Sequence, residues 1–223
     1  MDKESKKLLN MIMKNFPDKK NEEASLREML EAGRMKIKKK LHKVEPITDL
    51  KDMLNKSYDK YKDKVAFKYK IGKNEIKTIT YKEFIDDVNG LGTQLMKMGL
   101  LGKRIAVISE NRYEWAVAYL ATACGVGVIV PLDKSLPANE LESLIVRSGV
   151  EAIFYSKKYD EIMQDIKQRK TTDLRYYISM DLEERQDGVL SEREFIEKGK
   201  KLIEEGDRKF LDAEVDREGM TFM

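Results

Sequence analysis

From Arg104 to Tyr155 the apolar residues change period repeatedly, and the changes predict the elements. Arg104–Ile108 has no polar residue in its interior, as expected for a strand covered on both faces of a parallel sheet. Asn111-Arg-Tyr-Glu114 has the spacing of a capping box, so Asn111 is expected to cap a helix running to Ala123. Gly125 and Gly127 bracket a turn into a strand at Val128–Val130. Pro137 is then expected in the first turn of a helix carrying Leu141, Leu144 and Ile145, which closes at Ser148-Gly149. Ala152–Tyr155 is a further strand. A helix from about Lys157, a strand near Leu174–Ile178 and a helix after the capping box Ser191-Glu-Arg-Glu194 complete the series.

The pattern ahead of this segment differs. Pro46 marks a boundary, after which Ile47–Tyr61 reads as a helix with Leu50, Met53, Leu54 and Tyr58 on one face. Val65–Tyr69 and Ile76–Thr80 alternate as short strands around a turn at Gly72-Lys-Asn74. Thr80-Tyr-Lys-Glu83 is a capping box opening a helix with the apolar stripe Phe84, Val88, Leu91, Leu95 and Met98, ended by Gly99. The predicted fold class is therefore α/β, a doubly wound, mostly parallel sheet with flanking helices, preceded by a short helical extension. Three regions are expected: a charged helical extension at 1–45, an α/β body at 46–205, and an acidic, irregular segment at 206–223. The end of that last segment, Met220-Thr-Phe-Met223, has the makings of a further strand.

Composition adds a few limits. Of the 223 residues 37% are charged, against about 25% in ordinary globular domains, yet 41% are hydrophobic, enough for a packed core. Residues 1–45 hold 13 Lys/Arg against 8 Asp/Glu, so the chain's net +3 leaves about −2 for the remainder. An acidic body offers no general nucleic-acid face. Within the extension, two helices are expected around Pro17, the second opened by the capping box Ser25-Leu-Arg-Glu28. Its end, Arg34–Lys43, carries six basic residues and no acid. A solvated helix end is the plain reading, and a weak contact with anionic membrane lipid is the functional one. No aromatic residue interleaves with these lysines, which argues against nucleic acid. No apolar run approaches membrane-spanning length and the start has no secretory pattern, so a cytoplasmic protein is expected.

Most chemical motifs are excluded. Cys124 is the single cysteine and lies in the apolar run Trp115–Gly125, so it reads as a small core residue. With His42 as the single histidine, neither a metal site nor a Ser-His-Asp triad can be built. Gly90-Leu-Gly92 lacks the third glycine and the strand-to-helix turn of a dinucleotide loop, and small residues on a packed helix face explain it better. No Walker-type loop occurs. Trp115 is expected at a helix–sheet junction and Arg112 as a solvated first-turn residue.

The stretch Thr78-Ile-Thr-Tyr-Lys-Glu-Phe84, the run Arg104-Ile-Ala-Val-Ile-Ser-Glu-Asn-Arg-Tyr-Glu-Trp115 and Gly125-Val-Gly-Val-Ile-Val-Pro-Leu-Asp133 with Leu136-Pro-Ala138 follow in this order. Together they resemble the N-terminal part of AMP-forming acyl-CoA synthetases, in the adenylate-forming (AMP-binding enzyme) superfamily. The form Asn111-Arg-Tyr-Glu-Trp115 is most similar to the long-chain fatty acid-CoA ligase branch. The resemblance covers about 47–180, and 206–223 more loosely. It implies that a carboxylate substrate such as a fatty acid reacts with ATP to give an acyl-adenylate and pyrophosphate, after which coenzyme A displaces AMP. ATP, Mg2+ and coenzyme A are implied for the complete enzyme, and none is expected on this chain. The family's Ser/Thr/Gly-rich phosphate loop would follow the approach segment Asp216–Met223, so no catalytic, cofactor-binding or metal-binding residue is assigned here. The chain is accordingly expected to be inactive alone, and its exposed sheet edges predict self-association as a homodimer or aggregate. Two alternatives stand beside this reading: a stand-alone, non-catalytic interaction module of the same fold, or another acyl- or aryl-CoA ligase of the superfamily.

Overall fold

A computed structural model describes residues 45–71, 75–216 and 218–223. The chain divides into two compact units, Met1–Pro46 and Ile47–Met223. The helices around Pro17, the capping box Ser25–Glu28, the basic run Arg34–Lys43 and the turn Gly72–Asn74 lie outside the described residues.

Helix α1, Leu50–Tyr61, begins three residues later than the apolar pattern alone suggests. The Asp49 side chain accepts from the Asp52 amide and fixes the start there. Strands β1, Val65–Ile71, and β2, Glu75–Thr80, form an antiparallel pair. Helix α2, Tyr81–Lys97, opens with both halves of the expected capping box, Thr80 and Glu83 each satisfying the other's backbone amide.

The main sheet consists of β3, Arg104–Ile108; β4, Val128–Pro131; β5, Ala152–Tyr155; β6, Tyr176–Ser179; and β7, Leu190–Ser191. Its order is β4-β3-β5-β6-β7, with every neighbouring pair parallel. The connecting helices are α3, Tyr113–Ala121; α4, Ala138–Ser148; α5, Asp160–Arg169; and α6, Glu192–Glu204 after β7. Phe222 extends the sheet beyond β4 in the parallel sense: the Ile129 amide donates to the Thr221 carbonyl, and the Met223 amide to that of Ile129, each at 3.0 Å.

Successive strand residues go to opposite cores, as the pleat requires. Ile105, Val107, Ala152, Phe154 and Ile178 face the helices α2, α3 and α6. Ala106, Ile108, Ile153, Tyr155 and Tyr177 face α4 and α5. Helices thus cover both faces, which is the doubly wound arrangement expected. The final segment contributes more than its acidic composition suggests. Phe210 is buried in the first core, and Lys51 Nζ reaches the carbonyls of Phe210 and Ala213, each at 2.6 Å.

Three local expectations need correction. Helix α3 starts at Tyr113, with Arg112 rather than Asn111 in the capping position and no side-chain cap bond. Glu114, the expected second half of that box, is engaged by the Arg112 guanidinium instead. The regular helix also ends at Ala121, because Thr122–Val126 forms a π-turn whose Gly125 has φ 143°. Pro137 is the residue before α4 rather than within its first turn.

Glycines on α2 and α6 allow a very close crossing. A Cβ on Gly199 would lie 1.7 Å from the Gly90 carbonyl oxygen, and one on Gly92 would lie 2.3 Å from the Phe210 ring. This is the packed-face role expected of Gly90-Leu-Gly92. Gly199→Ala is predicted to destabilise the fold by about 1–3 kcal/mol, because backbone must shift rather than a flexible side chain. Urea unfolding measures it, and the exposed Lys201→Ala should change stability by less than about 0.5 kcal/mol.

Candidate functional site

In an open parallel sheet the loops after the strands' carboxyl ends surround the natural ligand crevice. Here those loops deliver Arg112 after β3, Met180 and Asp181 after β6, and Glu192 immediately after β7. Helix α2 adds Asp87 from the side, and Lys200 on α6 faces it. Together they border an open groove of about 810 Å3, within the size range of small-molecule sites.

Arg112 organises one wall. Its Nε donates to Glu114 Oε2 at 2.7 Å, Nη1 to Asp181 Oδ1 at 2.8 Å, and Nη2 to the Met180 carbonyl at 3.3 Å. The other Asp181 oxygen accepts from the Lys157 amide at 2.6 Å. Burial opposes the guanidinium's charge, but the two carboxylates outweigh it and hold Arg112 more firmly protonated than usual. The expectation of a solvated Arg112 is therefore corrected: it is a half-buried tie between the loop after β3 and the loop after β6. Trp115 stacks on Tyr119 with centroids 5.1 Å apart and lies partly buried against the first core, near its expected place.

The opposite wall is a second tie. Tyr113 donates its hydroxyl to Asp87 Oδ2 at 2.7 Å, and Lys200 Nζ pairs with Asp87 Oδ1 at 2.7 Å and with Glu197 at 3.1 Å. Burial, then the Asp87 charge, pushes the Tyr113 phenol well above its ordinary range. For Lys200, burial again opposes the charge while Asp87 and Glu197 raise its pKa.

Glu192 lies between these ties. It is 1% exposed, and neither carboxyl oxygen has a hydrogen-bond partner. Burial first, then the negative charges of Glu114, Asp87 and Asp181, raises its pKa well above the carboxylate range, and the nearby Arg112 only partly offsets them. Sequence reasoning missed this residue. An acid in a helix's first turn is ordinarily a solvated partner of the helix dipole, and nothing local signals burial. Ser191 does cap α6 as expected, accepting from the Glu194 amide at 3.1 Å. Glu194 does not close the box; it accepts from the Arg185 amide at 3.0 Å.

Cys124 is buried, as expected, and burial pushes its thiol up to about 12 despite the opposing charge of Lys51. Among the described residues no three His, Cys, Asp or Glu side chains converge to hold a metal ion, so no step is assigned through Mg2+ on this part of the fold. No described helix is long and apolar enough to cross a membrane.

Comparison with known proteins places these features in context. The family model described as AMP-binding enzyme matches residues 54–217. A putative acyl-CoA ligase, YdaB, from Bacillus subtilis is 26% identical over 90 residues, 40% of this chain and 18% of that protein. The human mitochondrial medium-chain acyl-CoA ligase ACSF2 is 27% identical over 82 residues, 36% of this chain and 13% of that protein. The chain thus spans less than a fifth of the length of either relative. Among solved structures, the long-chain-fatty-acid-CoA ligase FadD1 from Archaeoglobus fulgidus superposes with a TM-score of 0.58 at 16% identity, over 70% of this chain and 31% of that one.

The Glu192 environment predicts a signed pH dependence. Below about pH 4.3 the carboxyl is protonated whether the chain is folded or not. Between that value and its raised folded pKa the unfolded chain releases the proton and the folded chain retains it, so stability declines as pH rises. Glu192→Gln removes this loss. Its melting temperature relative to the parent chain should therefore rise with pH above about 4.3 and level off once the folded carboxyl itself ionises, as followed by circular dichroism.

Proposed function

The chain belongs to the AMP-binding enzyme family, and from this we propose that it forms the amino-terminal α/β portion of an AMP-forming acyl-CoA ligase. The observation that carries the reading is the family match over 54–217, coinciding with the parallel sheet and the helices on both its faces. In the complete enzyme, a carboxylate oxygen attacks the α-phosphorus of ATP and pyrophosphate leaves. The thiolate of coenzyme A then attacks the acyl carbon and AMP leaves.

The part taken by the present residues is architectural. Thr221–Met223 run along the outer edge of β4, where an approach strand would deliver a following phosphate-binding loop beside the sheet. That loop would supply the preorganised amides that receive the charge building on the phosphates. The chain alone is accordingly inactive in this reading. A long-chain fatty acid is the proposed substrate, supported by the form of Asn111–Trp115 and by the likeness to FadD1. The medium-chain activity in the name of ACSF2 marks the nearest competing length.

Pyrophosphate release tests this directly. The 223-residue chain with palmitate, Mg-ATP and coenzyme A should release none above background, and calorimetry should show no saturable Mg-ATP binding. A longer chain carrying the same residues and a following Ser/Thr/Gly-rich loop should release pyrophosphate with palmitate in preference to octanoate or benzoate. Turnover by the 223-residue chain itself, or no turnover of any carboxylate by the longer one, would contradict the proposal.

A further inference from the structure

Charge is segregated along the α/β body. Residues 60–82, which take in the end of α1, the β1–β2 hairpin and the start of α2, hold eight lysines against Asp63 and Glu75, a net of +6. Residues 46–223 as a whole come to about −2, so the rest of that span carries about −8. Lys62, Lys64, Lys68, Lys70, Lys77 and Lys82 are all exposed. On α5 and α6 the basic side chains are matched by acids one turn away, as in Arg169–Asp165, Lys198–Glu194 and Lys200–Glu197. Lys82 likewise pairs with Asp86, but among the described residues no ion pair engages Lys62, Lys68 or Lys70.

The strand pairing gathers part of this charge on one surface. Lys68 lies opposite Thr78 and Lys70 opposite Ile76, and residues directly opposite share a sheet face. The other face carries Phe67 and Ile79, which belong to the first core, with Phe67 against the rings of Phe84 and Tyr113 at 4.8 and 5.2 Å. The outward face is therefore held on a packed support. Its Ile76 is 61% exposed, an aliphatic side chain set beside a lysine with no packing role. Cations around a protruding aliphatic group suit an anionic lipid surface, where the lysines meet the headgroups and the aliphatic group enters the acyl boundary. Nucleic acid fits less well. Lys64 lies 5.0 Å above the Tyr61 ring, Tyr81 packs 5.6 Å from the same ring, and Lys77 lies 5.9 Å above Tyr69, contacts that compete with base stacking.

We propose that the hairpin face formed by Lys68, Lys70, Ile76 and Thr78 docks the protein on an anionic lipid surface, with Ile76 inserted between the headgroups. The acidic remainder of the body is repelled by the same surface and turns the hairpin toward it. Each lysine held near such a surface raises affinity roughly fivefold, so the contact is reversible and weakens as salt screens it. The face is separate from the basic run Arg34–Lys43. It is also independent of the ligase reading, because it requires neither ATP nor any segment beyond Met223.

Co-sedimentation of the 223-residue chain with phosphatidylcholine vesicles containing about 30% phosphatidylserine, in about 0.1 M salt, tests the proposal. Binding is expected to these vesicles and not to pure phosphatidylcholine, with release at about 0.5 M salt. Lys68→Gln/Lys70→Gln should weaken binding roughly tenfold or more, and Ile76→Ser roughly threefold or more, while the melting temperatures stay close to that of the parent chain because all three side chains are exposed. Lys38→Gln/Lys39→Gln, which removes the same charge from the amino-terminal extension, should cost less. In the parent chain, a spin-labelled lipid in the vesicles should broaden the amide resonances of 68–70 and 75–78 more than those of α4, a readout that needs no variant. Equal binding to pure phosphatidylcholine, unchanged binding of Lys68→Gln/Lys70→Gln, a larger loss in Lys38→Gln/Lys39→Gln, or broadening that spares the hairpin would each overturn the proposal. So would tighter binding to a single-stranded oligonucleotide than to the anionic vesicles, which would assign the face to nucleic acid.

Discussion

The close crossing of α2 and α6 is the constraint on which the rest of this structure depends. Gly199 meets the backbone of Gly90 so tightly that neither helix can carry a side chain there. That approach brings Asp87 and Lys200 within ion-pair distance across the two helices. It also draws the first turn of α6 toward Asp87 on α2 and the start of α3, where Glu192 is excluded from water. A looser crossing would leave room for water beside that carboxyl, and its ordinary acidity would return. Helix packing at one pair of glycines thus sets the electrostatics of a groove several residues away.

The sheet supplies the second half of the arrangement. Its strands alternate cleanly between two cores, which fixes their register and leaves the loops at their carboxyl ends to hold the polar groups. Arg112 ties the loop after β3 and the start of α3 to the loop after β6, through Glu114, Asp181 and the Met180 carbonyl. A half-buried guanidinium bridging two carboxylates is stronger than a surface pair, because each bond is charge-assisted and less screened by solvent. The same tie has a consequence for Glu192. With Arg112 committed to Glu114 and Asp181, no hydrogen bond from it reaches the buried carboxyl.

Much of the fold was legible in the sequence because it rests on local signals. Capping at Thr80–Glu83 and at Ser191, the glycine at Gly149 and the apolar runs of β3 and β5 each act within a few residues. The error at the start of α3 falls where a distant partner overrides the local preference. Glu114 could have closed a capping box with Asn111, but the guanidinium of Arg112, itself held by Asp181 some seventy positions away, captures it instead. The groove was illegible for the same reason. Glu192, Arg112 and Asp87 come from three separate elements, and the burial of Glu192 arises only when α6 docks on α2. Phe210 shows the same limit, since an acidic, irregular stretch concealed an anchor that fills the space left by Gly92.

The most direct test is a pH titration of the Glu192 side-chain carboxyl by 13C NMR on the unliganded chain. If the helix crossing buries this group as described, its resonance will shift only at a pH well above that at which the exposed glutamates titrate, near pH 4.3. If Glu192 titrates with the exposed glutamates, the carboxyl is solvated, and the account of the α2–α6 crossing and the groove it builds is wrong.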